Sequence, residues 1–98
     1  MLVKIHPSYR NVIAICDSDL IGKTFEEGIK QIKINDNFFK GEEKSEAEVL
    51  EIIEMGLAED YTFNLVGKEV IALALKIGLI REEGVKKIQD IPLALVLL

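Results

Sequence analysis

The chain has 98 residues, 49% of them hydrophobic, with a formal net charge of −5 and an isoelectric point near 4.9. This length allows one domain with one modest core, and the acidic balance argues against broad, charge-driven nucleic-acid binding, which needs several Lys or Arg side chains aimed at phosphates. Cys16 is the only cysteine, which excludes an internal disulfide and a cysteine-based zinc cage.

The N-terminus enters alternating residues at once and lacks the basic-then-apolar layout of a signal peptide. No unbroken apolar run is longer than Leu93–Leu98, which falls far short of the ~20 residues that span a membrane. A soluble, cytoplasmic protein is the expectation. Fourteen Ile, ten Lys and twelve Glu against two Gln and no Trp lean toward a heat-adapted source.

In chain order, Leu2–His6 and Asn11–Cys16 are β-branched-rich runs around Pro7-Ser8-Tyr9-Arg10, which reads as a hairpin pairing Ile5 with Val12 and Val3 with Ala14. Asp17–Leu20 is turn-prone, and Thr24–Gly28 leaves room for about one helical turn before its glycine. Ile29–Ile34 interleaves Ile with Lys and Gln as a half-exposed strand, ended by an Asn35-Asp36-Asn37 turn. Ser45 and Glu48 then form a capping box for a helix running to about Glu59. Asn64 is expected to cap a second helix, with Val66, Val70, Leu73, Ala74 and Ile77 on one face and Gly78 as its left-handed end. Glu83-Gly84 reads as a turn before a strand at Val85–Ile88. Leu93–Leu98, apolar at every position, reads as a strand covered on both faces, or with one face against a second copy of the chain. The expected fold is α+β: a single domain over residues 1–98, with a mixed sheet of about five strands packed with two helices.

Gly22-Lys23-Thr24 matches the end of the phosphate-binding pattern G-x-x-x-x-G-K-[ST], but Asp17 stands where the first glycine belongs. That glycine lets the loop curl its amides around phosphate. The long helix that must follow is also missing, since Gly28 interrupts it. A nucleotide-hydrolysing loop is therefore rejected. His6 and Cys16 invite a thiol–imidazole pair, yet the hairpin puts them at opposite ends, beyond hydrogen-bond reach. Asp17, Asp19, Glu26, Glu27 and Glu42 are candidate cation ligands, but turn formation and solvated charge account for them without one. Phe38-Phe39 beside Lys40 invites base stacking; one ring in the core and one at its rim is the simpler reading.

Three blocks resemble a known family: C-D-x-x-L-x-G-K-x-F-x-E-G from Cys16 to Gly28, F-x-G-E from Phe39 to Glu42, and N-L-V-G from Asn64 to Gly67. Together they are similar to the archaeal family catalogued as domain of unknown function 424. The resemblance implies a small archaeal α/β protein, suggests a place with the translation machinery, and supplies no activity. Its pattern falls on Asp17, Gly22, Lys23, Phe25, Glu26, Gly41, Glu42, Asn64 and Gly67.

Of these, Asp17, Gly22, Lys23, Glu26, Glu42, Asn64 and Gly67 are the candidate binding residues; no metal and no cofactor is implied. Gly22 and Gly41 suit turns and Asn64 a helix cap, whereas Asp17, Lys23 and Glu42 are ionisable groups outside regular elements and make the best surface-site hypothesis. The leading functional reading is a non-catalytic module docking on a protein or ribonucleoprotein partner, without direct nucleic-acid or membrane binding, and with homodimerisation open to it. The alternative is a small-molecule or metal-assisted enzyme using Asp17, Lys23 and Glu42. A nucleotide or RNA binder using Lys23 and neighbouring lysines comes third.

Overall fold

The computed structural model describes residues 1–97. Strands β1 (Leu2–His6) and β2 (Val12–Cys16) form the expected antiparallel hairpin. Its register differs by one residue: Ile5 meets Ile13 and Val3 meets Ile15. The reason is Asn11, which belongs to the loop. Its side-chain Oδ1 accepts the Ser8 amide at 3.0 Å and its carbonyl accepts the Thr62 amide at 3.0 Å. His6 and Cys16 still lie at opposite ends of the pair, opposite Val12 and Leu2.

Thr24–Gly28 does not begin a helix. β3 (Thr24–Glu27) pairs with β4 (Lys30–Lys33) as a separate two-stranded unit, turned through Gly28 at φ 62° with Ile29 fully exposed at the tip. The expected turn at Asn35–Asn37 is instead the start of a one-turn helix, α1 (Asp36–Phe39), because the Asn35 side chain accepts the Phe38 amide at 2.8 Å and caps it. After β5 (Glu42–Glu43) comes α2 (Glu46–Ala58), opened by the complete Ser45–Glu48 capping box.

Asn64 is not a helix cap. Thr62–Val66 forms β6, with Phe63 and Leu65 buried on one side, and α3 (Lys68–Lys76) begins only after Gly67. Alternation about Asn64 outweighs the capping preference of an asparagine, since the strand buries two large side chains. Val66 accordingly lies in the strand, while Gly78 takes the expected positive φ, 77°. A short turn at Glu82–Gly84 precedes β7 (Lys86–Ile88), joined to β8 (Ile91–Val96) by Gln89 and Asp90, both at positive φ as a two-residue hairpin requires.

The main sheet runs β5-β1-β2-β6-β8-β7, with β2 and β6 parallel and every other pair antiparallel. Among the described residues it has six strands against the expected five or so, with the β3–β4 pair in addition, and there are three helices against the expected two. One face packs against α2 and α3 through Ile13, Ile15, Val49, Phe63, Leu65 and Val70. On the other, Ala14, Cys16 and Val66 meet Leu20, Ile34 and Phe39, with Phe25 and Ile32 from the β3–β4 unit packed alongside.

This second layer is narrow, and it leaves the end of β8 uncovered. Leu95 is 57% exposed and Leu97 72% exposed, against the expectation of a strand covered on both faces; Leu98 lies outside the described residues. Among the described residues no helix is long and apolar enough to cross a membrane.

Candidate functional site

Asp17 continues β2, its amide bonded to the Val66 carbonyl at 3.1 Å. That places its carboxylate, only 6% exposed, under the first turn of α3. Oδ2 accepts the Glu69 amide and Oδ1 the Val70 amide, each at 3.0 Å. The first amides of a helix have no partner within it and carry a partial positive charge, so a carboxylate is the favoured cap. The residue in the usual capping position is Gly67, which has no side chain to offer. A group more than fifty residues earlier in the chain takes its place.

Gly67 is the other half of the arrangement. Its φ is 117°, and a Cβ there would lie 2.3 Å from Asp17 Cγ. Asp17 and Gly67 are thus brought together, by helix capping.

The other candidates are dispersed. Gly22, at φ 83°, donates its amide to the Ile34 carbonyl, and Ile34 returns its own amide to the Lys23 carbonyl at 2.9 Å, tying the loop to the end of β4. The Lys23 side chain is exposed and makes no hydrogen bond or ion pair among the described residues. Glu26 accepts from the Gln31 side chain across the β3–β4 pair at 2.6 Å. Glu42 lies on the edge strand β5, opposite Val3, with its carboxylate 2.9 Å from Lys44 Nζ. Its hydrogen bond and charge raise the Lys44 pKa. Asp17, Lys23 and Glu42 therefore each have a separate setting. Among the described residues no three His, Cys, Asp or Glu side chains are grouped to hold a metal ion. The Cys16 thiol is pushed up to about 11, first by burial and then by the adjacent Asp17 charge, and stays protonated at neutral pH.

Asn64 has the most informative position. It lies in mid-sheet, between Ala14 of β2 and Leu95 of β8. Alternation along β6 turns Phe63 and Leu65 to the helices and Asn64 to the opposite face. There it lines a cleft of about 460 Å3 with Phe38, Phe39, Ile32, Leu93 and Leu95, and Lys86 as the only ionisable lining group among the described residues. The Asn64 side-chain amide has no hydrogen-bond partner among the described residues and keeps contact with solvent. Phe38 is held in the wall by stacking on His6, centroids 4.5 Å apart, while the His6 Nε2–H donates to the Phe38 carbonyl at 2.7 Å. Phe39 is buried and Phe38 half-buried, the expected core-and-rim division. Of the lining residues, Leu93, Leu95 and Lys86 are absent from the sequence-based candidates, and Phe38 enters there only as a base-stacking ring that is set aside. For the two leucines the signal is the apolar run beginning at Leu93, which reads as a strand covered on both faces or with one face against a second copy; Lys86 has no such signal.

The family profile described as "Protein of unknown function (DUF424)" matches residues 6–98. A solved structure, described as the crystal structure of an uncharacterized conserved protein from Methanopyrus kandleri, superposes with a TM-score of 0.84. It is 22% identical, and the match covers 97% of this chain and 88% of that one. At that identity the likeness establishes the fold. No curated protein matches the chain.

Proposed function

The chain belongs to the DUF424 family, and from that premise we propose that it is a non-catalytic interaction module of the cytoplasm, taking an apolar, acidic segment of a protein partner into the cleft over Asn64. One observation carries this reading: an unpartnered amide on the floor of an apolar-walled cleft, in the middle of a sheet. An amide in such a place presents both a donor and an acceptor, the pair that a peptide group requires. Apolar walls with a few placed polar groups are the usual composition of a binding cleft. Lys86 supplies the charge preference: in a protein of net charge −5, this cleft is lined among the described residues by a cation and no carboxylate. A lone ammonium suits a carboxylate better than a phosphate backbone, whose binding draws on several cations. The partner is therefore a protein, free or within a ribonucleoprotein of the translation machinery, the setting suggested by the family resemblance.

The test is an NMR titration of the 15N-labelled protein with capped peptides that combine leucine and aspartate. Shifts confined to Phe38, Asn64, Lys86 and Leu95 are expected. Asn64→Leu should weaken binding by about tenfold, the loss of one or two net hydrogen bonds, and Lys86→Glu should abolish it. Binding unchanged in both variants, or shifts centred elsewhere, sinks the reading.

A further inference from the structure

We infer that a second copy of this chain pairs with the free end of β8, joining two sheets across a two-fold axis at Val96. This goes beyond the cleft reading, with which it shares Gly84, Ala94 and Leu95. β7 is shorter than its neighbour: it pairs Ile88, Lys87 and Lys86 with Ile91, Pro92 and Leu93, and among the described residues no strand continues beside 94–97, which face Arg81, Glu83 and Gly84 across a groove. The Pro92 carbonyl accepts the Gly67 amide on the β6 side. In an antiparallel ladder, backbone groups alternate between neighbours, so Ala94 and Val96 bond toward β6 while Leu95 and Leu97 present N–H and C=O to the open edge. The edge is left without a charged residue, and its proline, Pro92, lies inside the paired half. Natural edge strands usually carry such protection.

We place the second copy in the register that leaves β7 untouched. With Val96 on the axis, Leu95 faces Leu97 of the other copy and Leu97 faces its Leu95, so both outward residues exchange hydrogen bonds and β7 stays in place. Centring on Leu95 instead would oppose Leu97 to Leu93, which Lys86 already occupies. The exposed leucines, 57% and 72% accessible, become cross-strand pairs. A groove of about 650 Å3 runs beside the edge, with Arg81 and Glu83 on its lining and neither side chain engaged among the described residues. One charge of each sign is self-complementary under a two-fold axis, which lets two acidic molecules meet on a neutral face. A pairing this short falls at the low end of interface sizes, so the dimer dissociates on dilution.

Sedimentation of the whole chain from micromolar to millimolar concentration should show a mass rising from 11.0 kDa toward twice that value. Leu97→Pro removes an N–H used only in the pairing and should hold the protein at monomer mass with an unchanged melting temperature. Val96→Cys tests the register. A non-hydrogen-bonded antiparallel pair sets its Cα atoms about 4.5 Å apart, within reach of a disulfide, so mild oxidation should cross-link it, and Leu97→Pro in the same chain should prevent this. A monomer at millimolar concentration, a dimer that survives Leu97→Pro, or a wild-type dimer whose Val96→Cys variant fails to cross-link each overturns the proposal. If Leu97→Pro lowers the melting temperature, the cross-link alone decides.

Discussion

The carboxylate of Asp17 fills the space that a side chain at residue 67 would need, with an imagined Cβ at Gly67 lying 2.3 Å from Asp17 Cγ. The two residues form one device. The glycine leaves room and turns the chain at φ 117°, and the aspartate bonds the Glu69 and Val70 amides at the start of α3. Two of the three sequence blocks that resemble the family contain one half each.

Gly67→Ala should therefore destabilise by about 3 kcal/mol or more. Backbone strain at such a φ costs roughly 1–3 kcal/mol, and displacement of the cap adds to it. Chemical denaturation reads this directly; a loss below about 1 kcal/mol would show that the clash relaxes freely.

Asp17→Ala leaves one buried and one part-buried helix amide without partners, a buried one costing roughly 1–3 kcal/mol when stranded. A loss of about 2–4 kcal/mol is expected, with Asp17→Asn intermediate because its amide retains a single acceptor oxygen. Equal losses for the two variants would mean that the volume of the side chain, and not its bonding, is what α3 needs.

Lys23→Ala should change stability by less than about 0.5 kcal/mol, as for other surface positions without a partner. A large change in the denaturation midpoint would contradict the free placement of its ammonium.

Cys16 should resist alkylation in the folded protein. With its pKa raised from 9.0 to about 11, the thiolate is about a hundredfold scarcer at pH 8 than for an ordinary thiol. A thiol pKa raised by folding contributes stability below pH 9 that is lost as pH climbs from 9 toward 11. Iodoacetamide labelling followed by mass spectrometry, with and without denaturant, measures the protection; equal rates would contradict the burial.

Glu48 carries the acid-side effect. The backbone and side-chain hydrogen bonds of Ser45 hold its carboxyl below 4.5. Its stabilisation is complete above pH 4.5 and disappears as pH falls through the lower folded value. Glu48→Gln imitates the protonated acid, so its stability deficit at pH 7 should close as the solution is acidified below that range. A deficit that widens on acidification would reverse the sign argued here.

Local patterns made much of the architecture readable. Pro7-Ser8 announces the first hairpin, Ser45 with Glu48 marks the start of α2, and Gly78 marks the end of α3, because turn chemistry and capping act over a few residues. Asn64 was misread for the same reason: asparagine is a good cap anywhere, and only the burial of Phe63 and Leu65 beside it reveals a strand. Likewise, nothing within five residues of Asp17 shows that its carboxylate caps a helix beginning at Lys68.

The order of residues alone determined the α+β class, the family, the absence of a true phosphate loop and the separation of His6 from Cys16. The tertiary structure decided which polar residues are spent on folding and which remain open. Asp17 is consumed by α3, Glu42 pairs with Lys44, and Asn64 faces a cleft without a partner among the described residues. The apolar run from Leu93, which reads as a strand covered on both faces or on one face by a second copy, is half uncovered within the chain because β7 and the β3–β4 layer stop short of it. Apolarity along a chain says that burial is favourable; which surface supplies the cover depends on elements distant in sequence.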